Sequence, residues 1–204
     1  MPPGTVGPRL TEAAGRTSLW YEVVLRKGDD MIWPFAHLWD GALTYERFVR
    51  ESKQHCDMWT GVYRAARIPE ALVAEGAALG RGFRLVAIVE DWCGDASNTV
   101  PVVARWAEQV PGVELRLLRR DEHPDLMDRY LTGTSRSIPI VVVLTDAMEE
   151  LGHWGPRPAV LQAWVLEKRR AGAGKEIYPE IRKWYAQDKG ESPLREILAV
   201  MAGA

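Results

Sequence analysis

Hydrophobic positions along the chain change period several times, and each change marks an element. Between Thr44 and Tyr63, the residues Tyr45, Phe48, Val49, Ser52, Cys56, Trp59 and Tyr63 fall on one face at three- and four-residue spacing, which predicts a helix. Thr44 is its N-cap, and Glu46 stands in the first turn, where a carboxylate meets the positive end of the helix. A shorter helix is expected from Pro69 to Leu79, stopped by Gly80 and Gly82. Upstream, residues 19–26 (LWYEVVLR) predict a strand turning at residues 27–30. Residues 31–43 read as irregular and aromatic, and the opening MPPGTVGPRL as a frayed tail.

From residue 83 the pattern is different. Phe83 to Val89 (FRLVAIV) is an almost unbroken apolar run of strand length, as a strand buried on both faces requires. A polar turn, Glu90 to Asp95, leads into a helix reaching about Val110. A strand over Val113–Leu118 follows, then a short helix opened by Pro124 at its first position. Ile138-Pro139 introduces the strand IVVVLT, and a tight turn at Asp146-Ala147 joins it to an edge strand, Glu149–Trp154. After the breaker Gly155-Pro156-Arg157-Pro158, helices are predicted over 159–170, 175–187 and 193–202, the last capped by Ser192 and Pro193. Crossover helices imply parallel strand pairs, and the short turn near 146 implies an antiparallel one. The expected architecture is a mixed sheet with helices on its faces.

Composition narrows the function classes. Over 204 residues, 47% are hydrophobic and 26% charged, with a net charge of −2, which gives no reason to expect nucleic acid or an anionic membrane as partner. No apolar run approaches the ~20 residues of a membrane span. The start has no apolar signal region, so the cytoplasm, where thiols stay reduced, is the expected compartment. Two cysteines allow one disulfide at most. The nine tryptophans are expected as core or interface anchors, several of them packing the N-terminal part onto the rest. His37, His55, His123 and His153 show no ligand spacing, and no glycine-rich phosphate loop is present, so neither a metal nor a nucleotide or flavin cofactor is expected.

The chemistry gathers in the loop Trp92-Cys93-Gly94-Asp95-Ala96, which resembles the Trp-Cys-Gly-Pro-Cys active site of the thioredoxin family. Pro101, eight residues after Cys93, matches that family's helix proline. Pro139 matches its cis-proline, and Gly155 follows the last strand at the family's distance. More narrowly, EDWCGDA, LRRDEHPDLMDRYL, RSIP and GHWGPRP are similar to a group of bacterial thioredoxin-like proteins of little-assigned function. The resemblance implies an α/β thioredoxin-like domain over residues 80–171. An N-terminal extension (1–79) and a C-terminal helical appendage (172–204) flank it.

The departures from that pattern matter as much as the match. A dithiol enzyme expels its substrate with a second cysteine, and Ala96 stands there instead. Asp95 replaces the intervening proline, and Ala87 replaces the family's buried acid. Cys93 at a helix tip gains from the dipole, whereas Asp95 beside it disfavours a second negative charge; the sequence leaves the sum open. Asp95 itself is either a first-turn helix stabiliser or, with Cys93, a catalytic group that tunes the thiol or accepts its proton. Arg136 is a candidate to favour the thiolate or to bind a carboxylate of a small thiol such as glutathione. Trp92 is expected to shield the loop, and Gly94, Ile138 and Pro139 to shape a substrate groove.

Two functions follow from the resemblance. One is a single-cysteine disulfide oxidoreductase of cell redox homeostasis, acting on a protein disulfide or a small thiol and resolved by an external thiol. The other is a non-redox binding or chaperone-like module using the same groove. Cys56, on the apolar stripe, reads as an inert core thiol rather than a distant resolving partner. Arg119-Arg120-Asp121 reads as a solvated loop or as an anion or partner site. The segment 175–184, with Ile177, Tyr178, Ile181 and Trp184 at helical spacing, is expected to dock on the domain or to form a dimer surface. Oligomeric state is not legible.

Overall fold

The computed structural model describes residues 26–27, 30–31 and 35–203. The predicted tail and all but the last residue of the predicted strand 19–26 lie outside them. Arg26–Lys27 (β1) and Asp30–Met31 (β2) form an antiparallel pair of their own.

From Phe35 onward the chain builds a second unit around a four-stranded sheet of order β4-β3-β5-β6. β3 spans Phe83–Val89, β4 Val113–Arg119, β5 Ile140–Thr145 and β6 Glu150–Trp154. β3 and β4 are parallel, with Phe83 opposite Val113 and Val89 opposite Arg119. β5 runs antiparallel to β3, pairing Ile88 with Ile140, and β6 antiparallel to β5, pairing Trp154 with Val141. The two central strands, β3 and β5, are buried over almost their whole length, as their apolar runs demand.

This topology decides where the site lies. The carboxyl ends of β3, β4 and β6 and the amino end of β5 all meet at one edge of the sheet. Loops leaving those ends converge there, as ligand-binding loops do in open α/β sheets.

Helices cover both faces. α1 (Phe35–Gly41) occupies part of the stretch expected to be irregular; its Phe35 is buried. Leu43 then pairs with Leu117 through backbone bonds of 2.9 and 2.8 Å, closing the outer edge of β4. The single helix predicted from Thr44 is two: α2 (Tyr45–Glu51) and α3 (Cys56–Ala65). Thr44 caps α2 as expected, accepting from the Arg47 amide at 3.2 Å. The helix stops because the Ser52 hydroxyl bonds back to the Phe48 carbonyl and His55 takes a left-handed conformation (φ 51°). The break resets the helical phase.

α4 (Glu70–Ala78) ties to α5 (Gly94–Ala107) through a 3.0 Å bond from Trp106 Nε1 to the Leu72 carbonyl. Pro101 lies inside α5. A short helix, α6, occupies Pro124–Met127 with Pro124 in its first turn. The C-terminal helices are α7 (Ala159–Arg170), α8 (Tyr178–Asp188) and α9 (Glu191–Ala202). α9 begins at Glu191 after Gly190 rather than at a Ser192 cap, because Ser192 bonds instead to Asp188 across the turn. Glu196 of α9 accepts from Trp154 Nε1 at 2.6 Å and from the Ala159 amide at 2.9 Å, fastening α9 to the end of β6. α8 docks on α7: Ile181 and Tyr185 share a small core with Leu161 and Val165. No described helix is long and apolar enough to cross a membrane.

Candidate active site around Cys93

Cys93 is the N-cap of α5. Its sulfur accepts from the Ala96 amide at 3.5 Å, and its thiol donates to the Ile138 carbonyl at 3.4 Å. The second contact follows from the sheet register. Cys93 leaves the carboxyl end of β3, Ile138 approaches the amino end of β5, and Ile88 and Ile140 are paired between them. The Ile138–Pro139 peptide is cis, as is Gly155–Pro156. Gly155 (φ 131°) lies so close to this segment that a Cβ there would collide with the Pro139 carbonyl oxygen. The end of β6 is thereby seated against Pro139.

The electrostatic balance left open by the sequence has a sign. Burial pushes the Cys93 thiol up to about 11, and Asp95 adds to the rise. The Ala96 and Asp95 amides and Arg157 oppose it without prevailing. With its residue 8% exposed, the sulfur rests as a protonated thiol, already committed to a backbone acceptor.

Asp95 does not stand free beside it. Both carboxylate oxygens are taken by Arg157, from Nε at 2.9 Å and from a terminal nitrogen at 2.5 Å, and Tyr185 adds a hydroxyl bond at 3.0 Å. An acid so engaged is a positioning group for the α5 tip rather than an available proton acceptor. Arg157 and Tyr185 were not singled out in the sequence. The signal for Arg157 was its place in the breaker after β6, whose carboxyl end falls at the site edge. Tyr185 arrives from α8, ninety positions away, and carried no such signal.

Arg136 lines the pocket, but its guanidinium is held by Asp128 at 2.6 and 2.7 Å, and the largest influences on the Cys93 thiol come from burial, Asp95, Arg157 and the neighbouring amides. Arg120 lies closer to the chemistry than its loop suggested. It covers the Trp92 ring at 4.8 Å, bonds Asp121, and reaches the Arg136 carbonyl at 3.2 Å. Trp92, expected to shield the loop, is 38% exposed and forms part of the pocket wall under Arg120.

Cys56 is exposed, not a core thiol, since the break before α3 turns it off the apolar stripe; its sulfur rests against the Ser52 carbonyl at 3.3 Å. The same break has a role at the site. Asp91 accepts from the Lys53 amide at 2.7 Å and the Gln54 amide at 3.3 Å, while its carbonyl receives Trp59 Nε1 at 3.0 Å. The α2–α3 turn is thus anchored to the residue two positions before Cys93. This brings His55 and Met58 to the pocket.

The pocket over Cys93 has a volume of about 500 Å³. Trp92, Gly94 and Ile138 line it beside the sulfur, with Met58 and Ile181 as further apolar walls and Asn98, Arg120, Arg136, Arg157 and Arg182 as polar ones. Pro139 stands behind Ile138 and is not in the lining. Among the described residues, no group of three or more His, Cys, Asp or Glu side chains is placed to hold a metal ion.

Comparisons with known proteins agree with this geometry. A crystal structure of a protein of unknown function from Pseudomonas aeruginosa matches 83% of this chain and 97% of its own at a TM-score of 0.67 and 22% identity. An HIV epitope-scaffold matches the same share of this chain and 98% of its own, at 0.66 and 22% identity. At such identity these two establish the fold. No curated protein matches the chain. The family model described as thioredoxin matches residues 42–173, well over half of the chain, from the residue before Leu43 to just past α7. With the Trp-Cys-Gly loop capping α5 and Cys93 bonded to the carbonyl of the cis Ile138–Pro139 peptide, this chain belongs to the thioredoxin family.

Proposed function

We propose that the protein is a single-cysteine thiol–disulfide exchange catalyst, probing small disulfides or mixed disulfides through the pocket over Cys93. The observation that carries this reading is the placement of the Cys93 sulfur. It caps α5, lines a cavity, and faces the backbone carbonyl of Ile138. Cys93 gives its proton to solvent, and its thiolate attacks one sulfur of a disulfide R–S–S–R. That S–S bond breaks, a Cys93–S–R bond forms, and the departing thiolate takes up a proton. An external thiol of the glutathione class then attacks the bound R sulfur, forming a new disulfide and releasing Cys93. Net, one disulfide and one thiol exchange partners, and no second protein cysteine is needed. Asp95 holds the α5 tip through Arg157, while Trp92, Gly94 and Ile138 bound the groove. A cytoplasmic setting supplies the external thiol.

A second reading is favoured by a different observation: the resting thiol is buried and pushed up to about 11. On that reading the pocket binds a ligand without redox chemistry. The test is incubation of the Cys56→Ser protein with glutathione disulfide, followed by intact mass. A mixed disulfide absent from Cys56→Ser/Cys93→Ser, and cleared by added glutathione over repeated turnovers, supports exchange. An unmodified Cys93 after prolonged incubation overturns it in favour of the binding module.

A further inference from the structure

The pocket wall is one-sided in charge. Arg120, Arg136, Arg157 and Arg182 line it, and Asp95 is the one carboxylate among the lining residues. Asp95 is consumed by Arg157. Arg136 is paired with Asp128, side chains 48% and 49% exposed, and an exposed pair of this kind yields readily to a competing anion, whereas Arg120, 20% exposed, is held by Asp121 and the Arg136 carbonyl. Arg182 has no hydrogen bond or ion pair to any described residue.

Arg182 comes from α8, which begins after the last residue matched by the family model. α8 is not a loose appendage. Ile181 and Tyr185 are buried against α7, and the Tyr185 hydroxyl reaches Asp95. Ile181 and Arg182 are thereby fixed as a wall of the Cys93 cavity. That wall, and a Cys93 residue only 8% exposed, favour a slender ligand over a disulfide embedded in a folded surface.

We propose that the pocket selects a small acidic thiol or disulfide bearing carboxylates at its ends, with Arg182 as its specificity-determining contact. This rests on the exchange reading above and adds the substrate's charge. Arg120 and Arg136 enter the lining from the segments after β4 and before β5, and Arg182 enters it from α8, so guanidinium groups on separate elements suit a ligand whose sulfur meets Cys93 and which carries a carboxylate at each end. Arg157, buried and already bidentate, fixes the cavity floor rather than the ligand.

The experiment uses the full chain carrying Cys56→Ser and three disulfides of matched length: 3,3′-dithiodipropionate, bis(2-hydroxyethyl) disulfide and cystamine. Rates of Cys93 modification are followed by mass and normalised to those of free mercaptoethanol. The dianion is expected to exceed the neutral compound by roughly tenfold, the worth of one charge-assisted hydrogen bond, with the dication slowest. The advantage shrinks with added salt, and Arg182→Ala lowers the anionic-to-neutral ratio. Equal normalised rates overturn the proposal, as does a faster reaction with insulin than with the dianion. If none of the disulfides reacts, the exchange reading fails separately, and calorimetry of suberate with Cys56→Ser/Cys93→Ser decides the charge preference. Saturable binding weakened by Arg182→Ala upholds it, and no binding overturns it.

Discussion

Arg157 and Asp95 meet side-on, Nε 2.9 Å from one carboxylate oxygen and a terminal nitrogen 2.5 Å from the other, with both side chains largely buried. Their partnership joins the end of β6 to the first turn of α5. Tyr185 extends it to α8, so three segments distant in sequence are fastened at the residue two positions after Cys93. Charge neutralisation here also limits how much Asp95 raises the neighbouring thiol.

Breaking this pair from one side is expected to be costly. Arg157→Ala leaves a buried carboxylate without its partner, and a loss of about 3–5 kcal/mol is predicted. Asp95→Ala/Arg157→Leu is predicted to lose less than the two single changes combined. Urea unfolding of the four proteins in a double-mutant cycle measures the coupling. Asp95→Asn should also lower the Cys93 pKa, since the Asp95 charge is among its raising causes.

The state of Cys93 sets a pH dependence of known sign. Its folded-state value of about 11 lies above that of an unfolded cysteine near 8.5, so the folded protein holds the proton more tightly. Below the unfolded value neither state loses the proton, and the contribution is fully present. As pH rises towards 11 it is lost, by about 3 kcal/mol in all. The difference in stability between wild type and Cys93→Ser should therefore fall across that window, isolated from the buried tyrosines both share. Iodoacetamide labelling gives the companion measurement. Exposed Cys56 is modified first, and the Cys93 rate keeps climbing beyond pH 9.

Gly155→Ala is predicted to destabilise by about 2–5 kcal/mol. Its φ of 131° is one that a side chain disfavours, and the added Cβ would run into the Pro139 carbonyl and come within 3.1 Å of Ile140 Cα. Both are backbone atoms, so no rotamer change relieves the collision. A lowered urea midpoint at unchanged m-value is the expected result.

Asp91→Ala removes the acceptor of the Lys53 and Gln54 amides and should cost about 1–3 kcal/mol. The loss falls at the α2–α3 turn. Hydrogen exchange is expected to quicken at residues 53 and 54, with the sheet unaffected. An unchanged exchange rate there would show that the turn holds without this acid.

The strands were legible because their signal is local. Phe83–Val89 and Ile140–Thr145 are apolar runs bounded by polar turns, and both occupy the predicted residues. The helix over Ala159–Arg170 is likewise where its periodicity places it. The helix from Thr44 misled because a three-and-four spacing continues through Ser52, whereas one left-handed residue, His55, rotates everything after it. Cys56 changed from core thiol to exposed thiol for that reason alone.

At the site, the sequence by itself determined the loop cysteine and its position after an apolar strand, and the resemblance to thioredoxins marked Ala96 as the missing partner and Pro139 as the family's proline. Those are matters of identity and spacing. Only the tertiary structure decided the company Cys93 keeps: Arg157 on Asp95, Arg120 on Trp92, Asp91 under the α2–α3 turn, and α8 as a pocket wall. It also decided the sign of the thiol's shift. The physical reason is that desolvation and charge pairing depend on distances between segments far apart in the chain, which strand order and register set and no local pattern encodes.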